Sequence, residues 1–243
     1  MTSFCLNFKI PSIALLLALA ACDDGHVDDP VFVDDTKFYT VRVVASLSGQ
    51  DDWDDSFAPV LAGYDDESEY SLIQKNLLRS APGQADTITL NRIPTSVTSV
   101  QIAVANVLRQ RQATIFAYEI PEGQDPDEVM TLELGSVDVS RFGAVNAAVF
   151  QGLSCFRCHQ GDAPPAGLAL TPDEAYSQLV GAPSVKSPSQ VLVVPGDAYN
   201  SFLVKVLSEG DDNVHYDHRP FFVEQGGQQL LELIKAWVDN IEE

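Results

Sequence analysis

The stretch KFYTVRVVASL (37–47) indicates the fold of the first half of the chain. Its β-branched and other apolar residues partly alternate with polar ones, as in a half-buried β-strand. Similar runs recur up to residue 139, separated by turn sequences such as APGQ (81–84) and PEGQDPDE (121–128). These runs are EYSLIQKNLL (69–78), DTITLNRI (86–93), VTSVQIAVANVL (97–108), ATIFAYEI (113–120) and MTLELGSVDV (130–139). About six or seven short strands at such intervals predict an antiparallel β-sandwich of immunoglobulin-like size over residues 37–139.

The spacing of apolar residues becomes helical near Ser140, which predicts a second, all-α domain over residues 140–243. TPDEAYSQLVG (171–181) begins with a capping threonine and a proline and ends with glycine, the usual punctuation of a helix. GGQQLLELIKAWVDN (226–240) and the residue after it place six apolar side chains on one helical face: Leu230, Leu233, Ile234, Trp237, Val238 and Ile241. We therefore expect a multidomain chain in which the domain boundary lies at residue 140.

The pentapeptide CFRCH (155–159) lies inside the predicted helical domain and is compatible with several chemistries. A thioredoxin-like dithiol requires a preceding strand, whereas a helix is predicted before Cys155. An iron–sulfur cluster requires four cysteines, and too few remain if one cysteine carries lipid. A zinc site made of Cys155, Cys158, His215 and His218 stays open, although the long gap and the close histidines are unusual for zinc.

Covalent haem c is the one chemistry that uses every member of the motif. Two thiols at this spacing reach the two vinyl groups on one haem edge, and the adjacent His159 supplies an iron ligand. We therefore predict one haem c, attached at Cys155 and Cys158. The backbone carbonyl of Pro164 or Pro165 is a candidate acceptor for the Nδ1–H of His159, which would fix the ring. A rigid turn accounts for these prolines equally well.

The surroundings of the motif resemble the single-haem cytochrome c domains of bacterial envelope proteins. The resemblance is carried by three segments in the same order: CFRCHQGDAPPAGLALT (155–171), VVPGDAYNSFLVKVL (193–207) and LLELIKAWVDN (230–240). It covers residues 142–240 and does not include the predicted sheet domain. It implies a helical cytochrome c fold, one covalent haem and electron transfer.

The sequence departs from this family at the sixth iron ligand. The family supplies a methionine shortly before its last helix, but the only methionines here are Met1 and Met130, both outside the haem segment. The stretch HYDH, which contains His215 and His218, stands near that place. We predict that His218, or failing that His215, binds iron opposite His159.

Other fates of the sixth position remain open. The position can be empty, or Lys205 can fill it, or the two histidines can be loop residues that never contact iron. An empty position would favour a haem peroxidase or a gas-binding protein, which is our enzymatic alternative. A third alternative is a surface interaction lipoprotein whose haem domain is structural. The hypothesis that we favour is a non-catalytic electron-transfer protein.

The N-terminal stretch MTSFCLNFKIPSIALLLALAACDDG (1–25) has the charge and the short apolar run of a secretory signal. LAAC (19–22) resembles the lipobox of bacterial lipoproteins, which implies a signal peptide over 1–21 and acylation of Cys22. Several acyl chains would anchor the protein stably in a lipid bilayer. The acidic stretch 22–36 is expected to be a solvated linker. The predicted location is the bacterial cell envelope, lipid-anchored, on the periplasmic or outer-membrane side.

The net charge limits the possible partners. The chain has 35 acidic and 14 basic residues, a formal net charge of −21. This balance argues against nucleic acid, because phosphate contacts require lysine and arginine. It fits a redox partner protein with a basic surface, or simply a role of the charge in solubility. The predicted sheet domain offers no catalytic constellation, since it contains no histidine.

Overall fold

The computed structural model describes residues 37–54, 56–77, 81, 83–223 and 227–242. The predicted signal peptide (1–21), the lipidation site Cys22 and the acidic linker (22–36) lie outside the described residues. Within the described part of the chain, no helix is long and apolar enough to cross a membrane.

Seven described strands form two sheets. They are β1 (Phe38–Ser48), β2 (Phe57–Tyr64), β3 (Ile73–Asn76), β4 (Asp86–Pro94), β5 (Ser99–Asn106), β6 (Arg111–Glu119) and β7 (Val129–Asp138). The strand order is β4-β1-β7 in one sheet and β3-β2-β5-β6 in the other. β1 runs antiparallel to β4 but parallel to β7, so the prediction of purely antiparallel sheets is wrong. The alternation of apolar residues identifies a strand but carries no information about its direction relative to a neighbour.

β1 is the central strand of its sheet, and its apolar residues alternate. Val41, Val43, Ala45 and Leu47 are buried, whereas Arg42 between them is exposed. The buried residues share one hydrophobic cluster with residues of both sheets, among them Leu61, Leu90, Val100 and Ile102. Full burial of each such aliphatic side chain stabilises the fold by roughly 1.5–3 kcal/mol.

The predicted all-α cytochrome c-like domain over residues 140–243 is wrong. The structure is mostly β-strand in two sheets, and helices account for only 24% of it. The described α-helices are α1 (Arg141–Val145), α2 (Ala175–Leu179), α3 (Phe202–Ser208), α4 (Pro220–Val223) and α5 (Gly227–Asp239). A π-helical turn (Asn146–Gln151) continues α1, and short 3₁₀ turns cover Gln50–Asp52, Cys155–Arg157 and Pro165–Gly167. Only α5, at 13 residues, reaches an ordinary helix length.

The predicted helices are shortened because the chain finds other hydrogen bonds at their ends. After α2, Val180 pairs with Val193 as an isolated β-bridge, and Gly181 adopts a left-handed conformation (φ 70°). Before α3, the hydroxyl of Ser201 accepts a hydrogen bond from the Val194 backbone N–H at 2.8 Å. Residues between α2 and α3 therefore form bridges and turns rather than further helical turns.

The helices and the second sheet share a hydrophobic cluster. Val104 of β5 and Ala113 of β6 belong to the same cluster as Val145 of α1 and as Ile234 and Trp237 of α5. Thr36–Glu243 forms one compact unit. The division into domains at residue 140 stays a prediction. The side chains of Cys155 and Leu168 pack against this cluster, which fixes the CFRCH segment to the core.

Candidate cofactor site

The CFRCH segment forms one tight turn. Ser154 precedes it in a left-handed conformation (φ 61°), and Cys155–Arg157 forms a single 3₁₀ turn. The backbone N–H groups of Cys158 and His159 both donate to the Cys155 carbonyl, at 3.2 and 3.1 Å. The bond from His159 spans four residues, so the chain completes about one helical turn between Cys155 and His159.

The two thiols are free and differ in exposure. Cys155 is half-buried and Cys158 is exposed. The Cys155 thiol donates to the Val149 carbonyl in the π-helical turn at 3.5 Å. The pKa of Cys155 is raised to about 11, chiefly by burial and also by the nearby Cys158. A redox dithiol works through a thiol of lowered pKa, so this environment disfavours the dithiol alternative.

Two hydrogen bonds link His159 to the segment 168–170. Its Nδ1 lies 3.0 Å from the Leu168 carbonyl oxygen, and its own carbonyl accepts from the Leu170 backbone N–H at 2.8 Å. A carbonyl can only accept, so Nδ1 carries the proton and Nε2 keeps its lone pair for a metal.

The prediction that Pro164 or Pro165 supplies the acceptor for His159 is wrong. Their carbonyls instead accept the backbone N–H groups of Gly167 and Leu168, at 2.9 and 3.1 Å. The 3₁₀ turn that they form carries Ala166 in a left-handed conformation (φ 57°) and ends at the residue whose carbonyl meets His159. The prolines therefore shape the turn, and Leu168 makes the contact.

The His218 ring lies close to the His159 ring although 59 positions of sequence separate the two residues. The two ring centroids are 6.3 Å apart, and the ring planes make an angle of 43°. His218 is half-buried, and its Nδ1 is buried with no hydrogen-bond partner in the described structure. The ring of Tyr216 meets it edge-on at 5.0 Å.

The environment of His218 favours the neutral imidazole. Burial lowers its pKa first and the nearby His159 lowers it next, while the Tyr216 backbone and Asp217 act in the opposite direction. A metal-binding histidine must be neutral, so this direction suits a ligand.

The spacing of the two rings fits coordination of one metal ion between them. A metal–imidazole bond of about 2 Å places the ring centre about 3 Å from the metal, so two imidazoles on opposite sides of one ion have centres about 6 Å apart. The observed separation between His159 and His218 is 6.3 Å. With the free thiols of Cys155 and Cys158 in the same turn as His159, these residues fit a covalently attached haem.

The other predicted ligands lie in different surroundings. His215 is exposed. Lys205 has its Nζ 2.7 Å from the Asp211 carboxylate and 5.9 Å from the centre of the Phe202 ring, so it is engaged elsewhere. Among the described residues, no group of three or more His, Cys, Asp or Glu side chains could hold a metal ion.

Sequence reasoning missed three residues of the site: Leu168, Asp217 and Arg219. Leu168 acts through its backbone, and a carbonyl has no signature in the sequence. Asp217 and Arg219 flank His218 in DHRP (217–220), and their opposite charges were the available signal.

No protein-family model, curated protein or solved structure matches this chain.

Proposed function

We propose that this chain is an envelope-anchored c-type cytochrome that binds one covalent haem and transfers electrons. Cys155 and Cys158 would attach the haem covalently, and His159 and His218 would bind its iron. The observation that carries the proposal is the 6.3 Å separation of the two histidine rings, brought together from distant segments beside a C-x-x-C-H turn. The proposal rests on these residues and not on a cytochrome c fold.

The thiols serve as anchors rather than as redox groups. Cys158 is exposed and Cys155 is half-buried against the core, so a thioether pair here would hold one edge of the group against the turn. The raised pKa of Cys155 keeps that thiol protonated at neutral pH when it is free. A haem bound here supplies one-electron redox chemistry.

The histidines tune the site through their own partners. The Leu168 carbonyl accepts the Nδ1–H of His159, fixes the tautomer and makes Nε2 a stronger donor. Two imidazoles favour the oxidised metal more than a histidine and a methionine do, because methionine ligation raises the potential. We therefore expect a lower reduction potential than in His/Met cytochromes.

The surroundings of the protein follow from the rest of the sequence. Acylated Cys22 would anchor the chain to a bilayer on the periplasmic or outer-membrane side. The net charge of −21 favours a redox partner with a basic surface.

The test is expression in a host competent in cytochrome c maturation, followed by haem staining of denaturing gels. The full chain should carry a haem band at its own mass, and the band should be lost when Cys155→Ala and Cys158→Ala are combined. His215→Ala is the matched control, because it removes an exposed histidine that we leave out of the site. An unstained wild-type band in that host would contradict the proposal.

The same preparation separates the alternatives. A low-spin haem that is indifferent to carbon monoxide and peroxide supports electron transfer, whereas a high-spin, reactive haem supports a peroxidase or a gas-binding protein. The absence of haem supports a surface interaction lipoprotein.

A further inference from the structure

The side chain of Arg219 links the loop that carries His218 to the C-terminal end of α3. Resting on the proposed function, we propose that Arg219 is a positioning residue that holds His218 opposite His159. It does so by binding the Asp217 carboxylate on one side and the Glu209 carbonyl on the other.

The first interaction is an ion pair between Arg219 and Asp217, the two residues that flank His218. Arg219 Nε lies 2.8 Å from Asp217 Oδ1, and Nη2 lies 2.7 Å from Oδ2, so the guanidinium grips the carboxylate with two parallel hydrogen bonds. Asp217 Oδ1 also accepts the Arg219 backbone N–H at 3.0 Å. Because this pair spans the residue between them, it restricts the backbone from which the His218 ring projects. A two-pronged charged pair fixes direction as well as distance.

A second interaction of Arg219 links the segment 217–219 to α3. Arg219 Nη1 donates to the Glu209 carbonyl oxygen at 3.1 Å. Glu209 caps the C-terminal end of α3, where backbone carbonyls have no partner within the helix. α3 is itself anchored, since Phe202, Leu203 and Val204 are buried. All three guanidinium nitrogens of Arg219 are thus used.

The residue after Glu209 leaves room for this arrangement. Gly210 has a left-handed backbone (φ 81°), and a Cβ built on it would lie 3.2 Å from Arg219 Nε. A side chain there would crowd the guanidinium group. The same loop is fastened near its start by Lys205, whose Nζ lies 2.7 Å from Asp211. The loop that carries His218 is therefore held near its start by Lys205 and near its end by Arg219.

The arrangement acts on position more than on stability. The side chains of Asp217 and Arg219 are both about half exposed, and exposed ion pairs contribute little to the free energy of folding. Loss of the pair should leave the melting temperature nearly unchanged while it loosens the geometry of His218. A residue with only a general structural role would show the reverse.

The experiment uses the full-length, haem-loaded protein and compares Arg219→Ala, Asp217→Asn and Arg219→Lys. The matched control is Lys235→Ala, which breaks an exposed ion pair with Glu232 (2.8 Å) on α5. The readouts are the high-spin fraction of the ferric haem and the affinity for added imidazole. We expect Arg219→Ala and Asp217→Asn to bind imidazole at least tenfold more tightly than wild type. Arg219→Lys should recover part of the difference, and Lys235→Ala should match wild type.

The outcomes distinguish this inference from the proposed function. If His218→Ala turns the haem high-spin but Arg219→Ala and Asp217→Asn match wild type, the inference is wrong and the ligand assignment stands. If His218→Ala also matches wild type, or the wild type holds no haem, both the inference about Arg219 and the assignment of His218 as a ligand are wrong. Should Arg219→Ala fail to fold, Asp217→Asn decides alone, because it keeps the side-chain shape and weakens the same pair.

Discussion

Single backbone atoms and single side chains decide the chemistry that this site can perform. The Leu168 carbonyl determines which nitrogen of His159 is free, and the Nδ1 of His218 is buried without a hydrogen-bond partner in the described structure. The sequence predicted His159 from the C-x-x-C-H motif and His218 from its place before the last helix. It could not predict Leu168, because every residue has a carbonyl and only the path of the turn selects one.

At this scale we predict that His218→Ala converts the ferric haem from low-spin to high-spin. The substitution removes the ring 6.3 Å from His159 and leaves one axial ligand. Added imidazole should restore the low-spin absorption spectrum, because it replaces the missing side chain. His215→Ala is the control and should keep the wild-type spectrum. Low-spin spectra with unchanged potentials in both single variants and in the double variant would refute the ligand assignment.

Strands and helices agree with the sequence-based prediction where buried residues recur periodically. They differ from it where other hydrogen bonds compete with those of the predicted element. β1 reads correctly as a strand because Val41, Val43, Ala45 and Leu47 alternate toward one hydrophobic cluster. The helix predicted over 171–181 was only partly right, because α2 covers Ala175–Leu179 and the next residue, Val180, forms a β-bridge with Val193 instead of a helical turn. The parallel pairing of β1 with β7 was equally beyond prediction, since strand direction depends on how distant segments return.

The prediction for this scale concerns the central strand. Leu47→Ala on β1 should lower the free energy of unfolding by about 2–5 kcal/mol, because it removes a buried side chain and leaves a cavity. Leu108→Ala is the same substitution in the β5–β6 turn, where the leucine is 68% exposed, and should change stability by less than about 0.5 kcal/mol. Urea unfolding followed by circular dichroism measures both. Equal effects of the two substitutions would show that β1 does not form the core.

The whole molecule is dominated by one sign of charge. The net charge of −21 is visible in the sequence before any folding argument. The fold class was less visible, because the resemblance to cytochrome c domains rested on short segments that also suit small helices on a β-rich core. Three such segments occur in the right order here, yet the helices among them are mostly of one or two turns.

Charge at this scale predicts how salt affects electron exchange. The reduced protein should transfer electrons to a cationic mediator such as hexaammineruthenium(III) faster at low ionic strength, because a net charge of −21 attracts the cation over distances that salt screens. Raising the salt from about 10 mM to about 300 mM should slow this reaction roughly tenfold or more. An anionic mediator such as ferricyanide should show the opposite trend, and stopped-flow absorbance at the haem bands measures both rates. Equal salt dependence for the two mediators would mean that the acidic surface does not extend to the haem edge. A basic partner protein would then have to bind to another face of the protein.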